Sequence, residues 1–145
     1  MCGIAGLIDL TGRRPVSLDI LSSMTNSLIH RGPDEEGQFV RPGLGLGNRR
    51  LSIVGLADGR QPLMNEDQTV VTIGNGELFE YKQLRAELQS RGHRFSTGSD
   101  LENVVHLWEE HGDQLWNRLR GQFAIALWDE HDQRLVIGRK NTIFI

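Results

Sequence analysis

This chain of 145 residues has little cysteine, little tyrosine and little excess charge. A single cysteine, Cys2, cannot close an internal disulfide, so no disulfide scaffold is expected and a reducing, cytoplasmic setting is. Lys and Arg number 16 against 19 Asp and Glu, a net charge of −3 with no basic block, so neither nucleic acid nor an acidic membrane surface is an expected partner. The longest uninterrupted apolar run, Phe123 to Trp128, falls far short of the roughly 20 residues that span a bilayer. No basic stretch followed by an apolar one opens the chain, so no secretory signal is expected. Internal repeats, low-complexity tracts and linkers are missing too. What is present fits one ordinary domain: apolar residues counted with glycine make up about half of the chain, enough for a single sizeable core.

The apolar pattern predicts a strand at Gly3 to Ile8 and a helix behind Ser17 with Leu21, Met24 and Leu28 on one stripe, ended by Arg31-Gly32-Pro33-Asp34. Strands are expected around Gly37 to Val40 and Leu51 to Val54, separated by a glycine-rich turn region from Pro42 to Gly47. Thr69 to Ile73 reads as a further strand followed directly by Asn75-Gly76, the pair that favours positive φ. A helix from about Phe79 to Arg91 stops at Gly92, and Ser99-Asp100-Leu101-Glu102 has the form of a capping box opening another. A short helix leads to Gly121, and Phe123 to Trp128 with Leu135 to Ile137 reads as a hairpin. Strands and helices come in groups rather than in alternation, which points to stacked layers rather than a doubly wound parallel sheet.

The position of Cys2 carries chemistry. Free cysteine is usually a small buried hydrophobe. At position 2, removal of Met1 would leave a free α-amine beside the thiol. The reference pKa values of an α-amine and a thiol, about 7.8 and 8.5, are close enough that moving the thiol proton onto the amine costs only about 1 kcal/mol. Such a residue carries its own base. Other residues have plainer readings when taken alone: Asp100 and Glu77 as first-turn helix acids, Arg50 as a solvated strand residue, and Asn75-Gly76 as a hairpin turn. The five histidines show no metal-ligand spacing, so no metal is expected and they read as surface or helix-end residues. Trp108, Trp116 and Trp128 read as core.

Seven segments stand in a recognisable order: Met1-Cys2-Gly3-Ile4-Ala5-Gly6, Arg31-Gly32-Pro33-Asp34, Arg49-Arg50-Leu51-Ser52-Ile53, Gln61-Pro62, Asn75-Gly76-Glu77, Ser99-Asp100 and Arg118 to Ala124. On these the chain resembles the glutaminase domain of class II glutamine amidotransferases, in particular the N-terminal domain of glutamine-hydrolysing asparagine synthetases, over residues 1 to about 139. The resemblance implies an α+β fold, the four-layer αββα sandwich of the N-terminal nucleophile hydrolases, here shortened at its C-terminal end. It implies that Cys2 is the nucleophile on the glutamine side-chain amide, with the Asn75 amide and the Gly76 N–H as the oxyanion hole. By the same resemblance Arg50 holds the substrate α-carboxylate, Asp100 the α-ammonium with Glu77 beside it, and the backbone near Ile53 lines the pocket. Arg31 to Asp34 carries no chemistry in this reading. Glutamine is then the substrate, and an ammonia-accepting synthetase domain or chain is the partner.

Small departures leave that set intact: Asn48 stands where the family often has His, Gly55 where Asp is common, Leu101 where Thr is usual, and Leu78-Phe79-Glu80 replaces Ile-Tyr-Asn. A larger one is the end, where Arg139-Lys140-Asn141-Thr142-Ile143-Phe144-Ile145 replaces the family's further strands, so residues 1–145 are expected to form a glutaminase domain without its last strands. Such an open sheet edge allows a partner chain, a homo-oligomer or an unstable fragment. No SGGxDS loop is present, so no cofactor is expected in this chain; ATP and Mg2+ belong to a separate synthetase domain. Two functions stay open: a glutaminase feeding an asparagine-synthetase-like reaction, and a catalytically silent glutamine-binding module that needs a partner to fold or act.

Overall fold

Glycine at alternate positions of one strand decides how the first layers meet. Strand β3 (Leu44–Arg50) is buried along its whole length and lies between β1 (Gly3–Ile8) and β2 (Glu35–Arg41) in an antiparallel sheet of order β1-β3-β2. Helix α1 (Leu18–Asn26), capped by the Ser17 hydroxyl accepting from the Ile20 N–H at 3.4 Å, packs on the outer face of that sheet. A Cβ at Gly45 would stand 2.7 Å from Val16 Cγ1, and one at Gly47 2.3 Å from Thr25 Cγ2, so the helix approaches only because both positions are glycine. The computed structural model describes residues 2–11, 14–52 and 59–141.

The second sheet has the order β4-β5-β6-β7, from β4 (Leu63–Met64), β5 (Val70–Leu78), β6 (Gly121–Asp129) and β7 (Arg134–Asn141), all antiparallel. Its inner face, with Val71, Ile73, Ala126 and Trp128, packs on Phe39, Leu44 and Leu46 of the first sheet. Its outer face, with Val70, Phe123, Ile125 and Leu127, packs under α2 (Tyr81–Ser90), α3 (Asn103–His111) and the short α4 (Leu115–Arg118) through Leu88, Val104, Val105, Leu107 and Leu115. Period-two alternation along β5 and β6 separates these two cores. The result is the expected α+β sandwich of four layers: α1, sheet, sheet, and the helices α2 to α4.

Four local expectations are corrected. Pro42 to Gly47 is not one turn region: only Pro42-Gly43 turns, and Gly45 and Gly47 lie inside β3, selected for contact with α1 rather than for bending. Leu51 and Ser52 lie outside any strand, and Ile53 to Val54 fall outside the described residues. Asn75-Gly76 is no hairpin turn, because β5 continues through it to Leu78, with Gly76 at φ +140° opposite Phe123. The capping box does not form either. Ser99 makes no side-chain cap, and the Glu102 carboxylate reaches back to Ser96 and Thr97 instead, taking the N–H and hydroxyl of each at 2.5–2.9 Å.

Candidate active site

A cavity of about 710 Å³ opens where the two sheets meet at one end, and Cys2, Arg50, Asn75, Gly76, Glu77 and Asp100 all line it. Sequence separations of up to about a hundred residues are closed by strand pairing. Cys2 immediately precedes β1, and the β1–β3 register sets Gly3 opposite Arg49, which brings Cys2 beside the end of β3. There the Leu51 N–H donates to Cys2 Sγ at 3.3 Å, and the thiol lies 3.6 Å from the Leu51 carbonyl. The sulfur is half-buried, and its hydrogen-bond contacts among the described residues are to backbone.

Arg50 ends β3, opposite Glu35 of β2 in the register, and its Nη1 pairs with Glu35 Oε2 at 2.6 Å. Its side chain is only 5% exposed, so the solvated-surface reading fails. A guanidinium carries five N–H donors in a rigid plane, and the cross-strand pair orients that plane. Asn75, Gly76 and Glu77 follow one another along β5 on the cavity wall. Glu77 belongs to this strand rather than to a first helical turn, and it is exposed. At Gly76 the positive φ and a Cβ position 2.0 Å from the Gln122 carbonyl oxygen both exclude any side chain.

Asp100 opens the 3-10 turn Asp100–Glu102 ahead of α3 and is buried. Its Oδ2 accepts the Leu78 N–H at 2.6 Å, which ties the turn to the end of β5. Burial, aided by the negative charge of Glu77, raises the Asp100 carboxyl above the ordinary aspartate range against the pull of backbone N–H groups of Leu78, Leu101 and Asp100 itself. A buried carboxylate with that environment favours a cationic ligand group beside it. Ile53, the remaining expected pocket residue, lies outside the described residues.

Two supporting residues escaped the sequence reading. Arg31, assigned no chemistry there, lines the cavity and donates from Nε to the Cys2 carbonyl at 3.1 Å, fixing the backbone of that residue. Gln61, quoted only as part of a motif, is buried and clamps Gly74 from both sides: its Nε2 donates to the Gly74 carbonyl at 3.0 Å and its Oε1 accepts the Gly74 N–H at 2.7 Å. Their long sequence distances from Cys2 and Gly74 left no local pattern to find.

The histidines also need correction. His106 is fully buried in α3 rather than at a surface or helix end, and it stands with His93, Glu66 and Glu109 in one cluster away from the cavity. Trp108 and Trp128 are core residues as expected, and Trp116, partly buried, packs against the outer core. No helix among the described residues is long and apolar enough to cross a membrane.

Comparison with known proteins identifies the family. The family model of the glutamine amidotransferase domain matches residues 1–142. Asparagine synthetase [glutamine-hydrolyzing] 2 of Bacillus subtilis (strain 168) is 40% identical over 141 residues, covering 96% of this chain and 19% of that protein. Asparagine synthetase [glutamine-hydrolyzing] 3 of Arabidopsis thaliana is 38% identical over 139 residues, covering 96% of this chain and 24% of that protein. The chain thus spans about a fifth to a quarter of the length of these relatives. Among solved structures, glutamine phosphoribosylpyrophosphate amidotransferase from B. subtilis, complexed with ADP and GMP, superposes with a TM-score of 0.68 at 20% identity over 90% of this chain and 35% of that one, a likeness of fold. With a match that runs from the first residue to residue 142, the chain belongs to the glutamine amidotransferase domain family.

Proposed function

We propose that this chain is the glutaminase half of a glutamine-dependent amidotransferase, hydrolysing glutamine to glutamate and ammonia for an asparagine-synthetase-like reaction. The observation that carries this reading is the gathering of Cys2, Arg50, Asn75, Gly76 and Asp100 on one cavity.

The mechanism requires Met1 to be removed, since an acylated nitrogen on Cys2 is no base. The Cys2 thiol then passes its proton to its own α-amine, and Sγ attacks the side-chain carbonyl carbon of glutamine. Negative charge develops on the carbonyl oxygen, where the Asn75 amide and the Gly76 N–H act as donors. One such preorganised donor contributes about 3–4 kcal/mol to a transition state of this kind. Collapse of the tetrahedral intermediate breaks the C–N bond, and the Cys2 α-ammonium protonates the leaving nitrogen, which departs as ammonia. Water, deprotonated by the same amine, adds to the thioester carbon; the C–S bond breaks and glutamate leaves. Arg50 binds the α-carboxylate and Asp100 the α-ammonium, so glutamine is held by both charged groups of its backbone with its amide directed at Sγ. No metal or organic cofactor enters these steps.

Acid quenching during turnover tests the covalent step. Mass spectrometry of the quenched chain should find a glutamyl adduct on a peptide that begins at Cys2. Turnover by a chain that retains Met1 would contradict the assignment of the base.

A further inference from the structure

We propose that Glu66, His93, His106 and Glu109 form a binding site for a single divalent zinc ion, separate from the Cys2 cavity. The four come from three places: the turn between β4 and β5, the segment just after α2, and one face of α3, where His106 and Glu109 are i, i+3 neighbours. Their candidate ligand atoms all lie within 4.8 Å of one another, and none of the four lines the Cys2 cavity.

The spacing argues for a metal over an ion-pair cluster. His106 Nδ1 stands 3.5 Å from Glu66 Oε2 and 3.4 Å from Glu109 Oε2; His93 Nδ1 stands 3.6 Å from Glu66 Oε1 and 3.6 Å from Glu109 Oε2. A charge-assisted N–H···O bond closes to about 2.7–2.9 Å. Tetrahedral zinc, with bonds of about 2.0–2.2 Å, sets its ligand atoms about 3.3–3.6 Å apart. The contacts are longer than the first spacing: both histidines stand at the second spacing from Glu109 Oε2, while Glu66 offers a different oxygen to each and the ligand atoms spread to within 4.8 Å, so an ion would draw them inward.

An outer contact supports His93 as a ligand: its Nε2 meets Glu110 Oε1 at 3.0 Å, and with the ring proton on Nε2 the Nδ1 atom is free to coordinate. His106 Nε2 is buried with no hydrogen-bond partner among the described residues, so Nδ1 is the atom His106 would offer. With both Nδ1 atoms bare, two carboxylates and two nitrogens face one another, an arrangement that a cation between them relieves. Each carboxylate is itself held: Asn65 Nδ2 donates to Glu109 Oε1 at 2.9 Å, and the Arg94 N–H donates to Glu66 Oε1 at 2.6 Å. Imidazole and carboxylate in this ratio suit zinc better than magnesium, which prefers six oxygens. The ion would tie α3 and the end of α2 to the β4–β5 turn, bracing the helix layer that carries Asp100 at its leading end.

The test is zinc chloride titrated by calorimetry into the full chain after treatment with chelator, in a Cys2→Ala background that removes the one thiol. One zinc per chain, retained through gel filtration and raising the melting temperature, is expected, with no comparable response to magnesium. His93→Gln and Glu109→Gln should each weaken binding at least about 10-fold, and Glu110→Gln, which removes only the outer partner, by about 10-fold. Circular dichroism checks that each variant is folded. Should His93→Gln unfold, Glu66→Gln, at a side chain 34% exposed, decides in its place. Zinc lost on gel filtration, or bound equally by the folded variants, overturns the site.

Discussion

Cys2 is held by contacts that ask little of its side chain. Among the described residues the sulfur's hydrogen-bond contacts are to the Leu51 backbone, and the Cys2 carbonyl is secured separately by Arg31. Cys2→Ala should therefore abolish glutamate formation while leaving the unfolding midpoint in urea nearly unchanged. Arg31→Ala keeps the thiol but frees its backbone, and should lower kcat by about 10-fold through misalignment. In the proposed reaction Arg50 holds a carboxylate that does not change, so Arg50→Lys, which keeps charge and loses the planar fork, should raise KM by about 10-fold with kcat little altered. An unchanged KM would remove Arg50 from substrate binding. Asp100 adds a pH dependence. Its folded carboxyl binds the proton more tightly than an ordinary aspartate, so its ionisation takes stability away as pH rises from the ordinary range through the folded value. At neutral pH the ligand-free domain carries that cost. Asp100→Asn, which can still accept the Leu78 N–H, should raise the melting temperature at pH 7, lose that advantage in strong acid, and bind glutamine poorly. A lower melting temperature at pH 7 would contradict this.

At the level of elements, two devices hold the cavity wall. One is the passage of β5 past β6 at Gly76. Any Cβ there meets the Gln122 carbonyl oxygen, so Gly76→Ala should cost about 3 kcal/mol or more in chemical denaturation, and the residual folded protein should be inactive. The other is Glu102, fully buried, whose two oxygens each take an N–H and a hydroxyl from Ser96 and Thr97, with Arg85 3.8 Å away. This closes the loop that delivers Asp100. Glu102→Gln turns one acceptor into a donor facing donors and should destabilise by about 2–4 kcal/mol, with a rise in KM measured on the folded fraction. The sequence pattern was readable where an element's own residues decide it. Ser17 and the Leu21 stripe mark α1, Gly92 marks the end of α2, and the apolar run from Phe123 to Trp128 marks β6. It was misleading where a neighbour decides. Gly45 and Gly47 have turn composition but serve α1, and Ser99 to Glu102 has the spacing of a capping box while Glu102 answers to residues upstream.

At the scale of the whole molecule, the grouping of strands and helices points only to stacked layers; the αββα order and the cavity residues come from the family resemblance, motif by motif. Arg31, Gln61 and the His93–His106 cluster do not, because each owes its role to a neighbour far away in sequence. The division of labour also follows from the whole. The chain spans about a fifth to a quarter of the length of its relatives, and under the proposed function these residues carry the glutamine-hydrolysing step alone. Glutamate release from glutamine by the purified, Met1-free chain, set beside its Cys2→Ala counterpart, decides between catalysis and binding alone. Steady release is expected from the chain that keeps Cys2 and none above background from the Cys2→Ala variant. Glutamate formed equally by both, or a folded wild-type chain whose melting temperature rises with glutamine but which releases none, would contradict catalysis by Cys2 and leave a glutamine-binding module without catalysis.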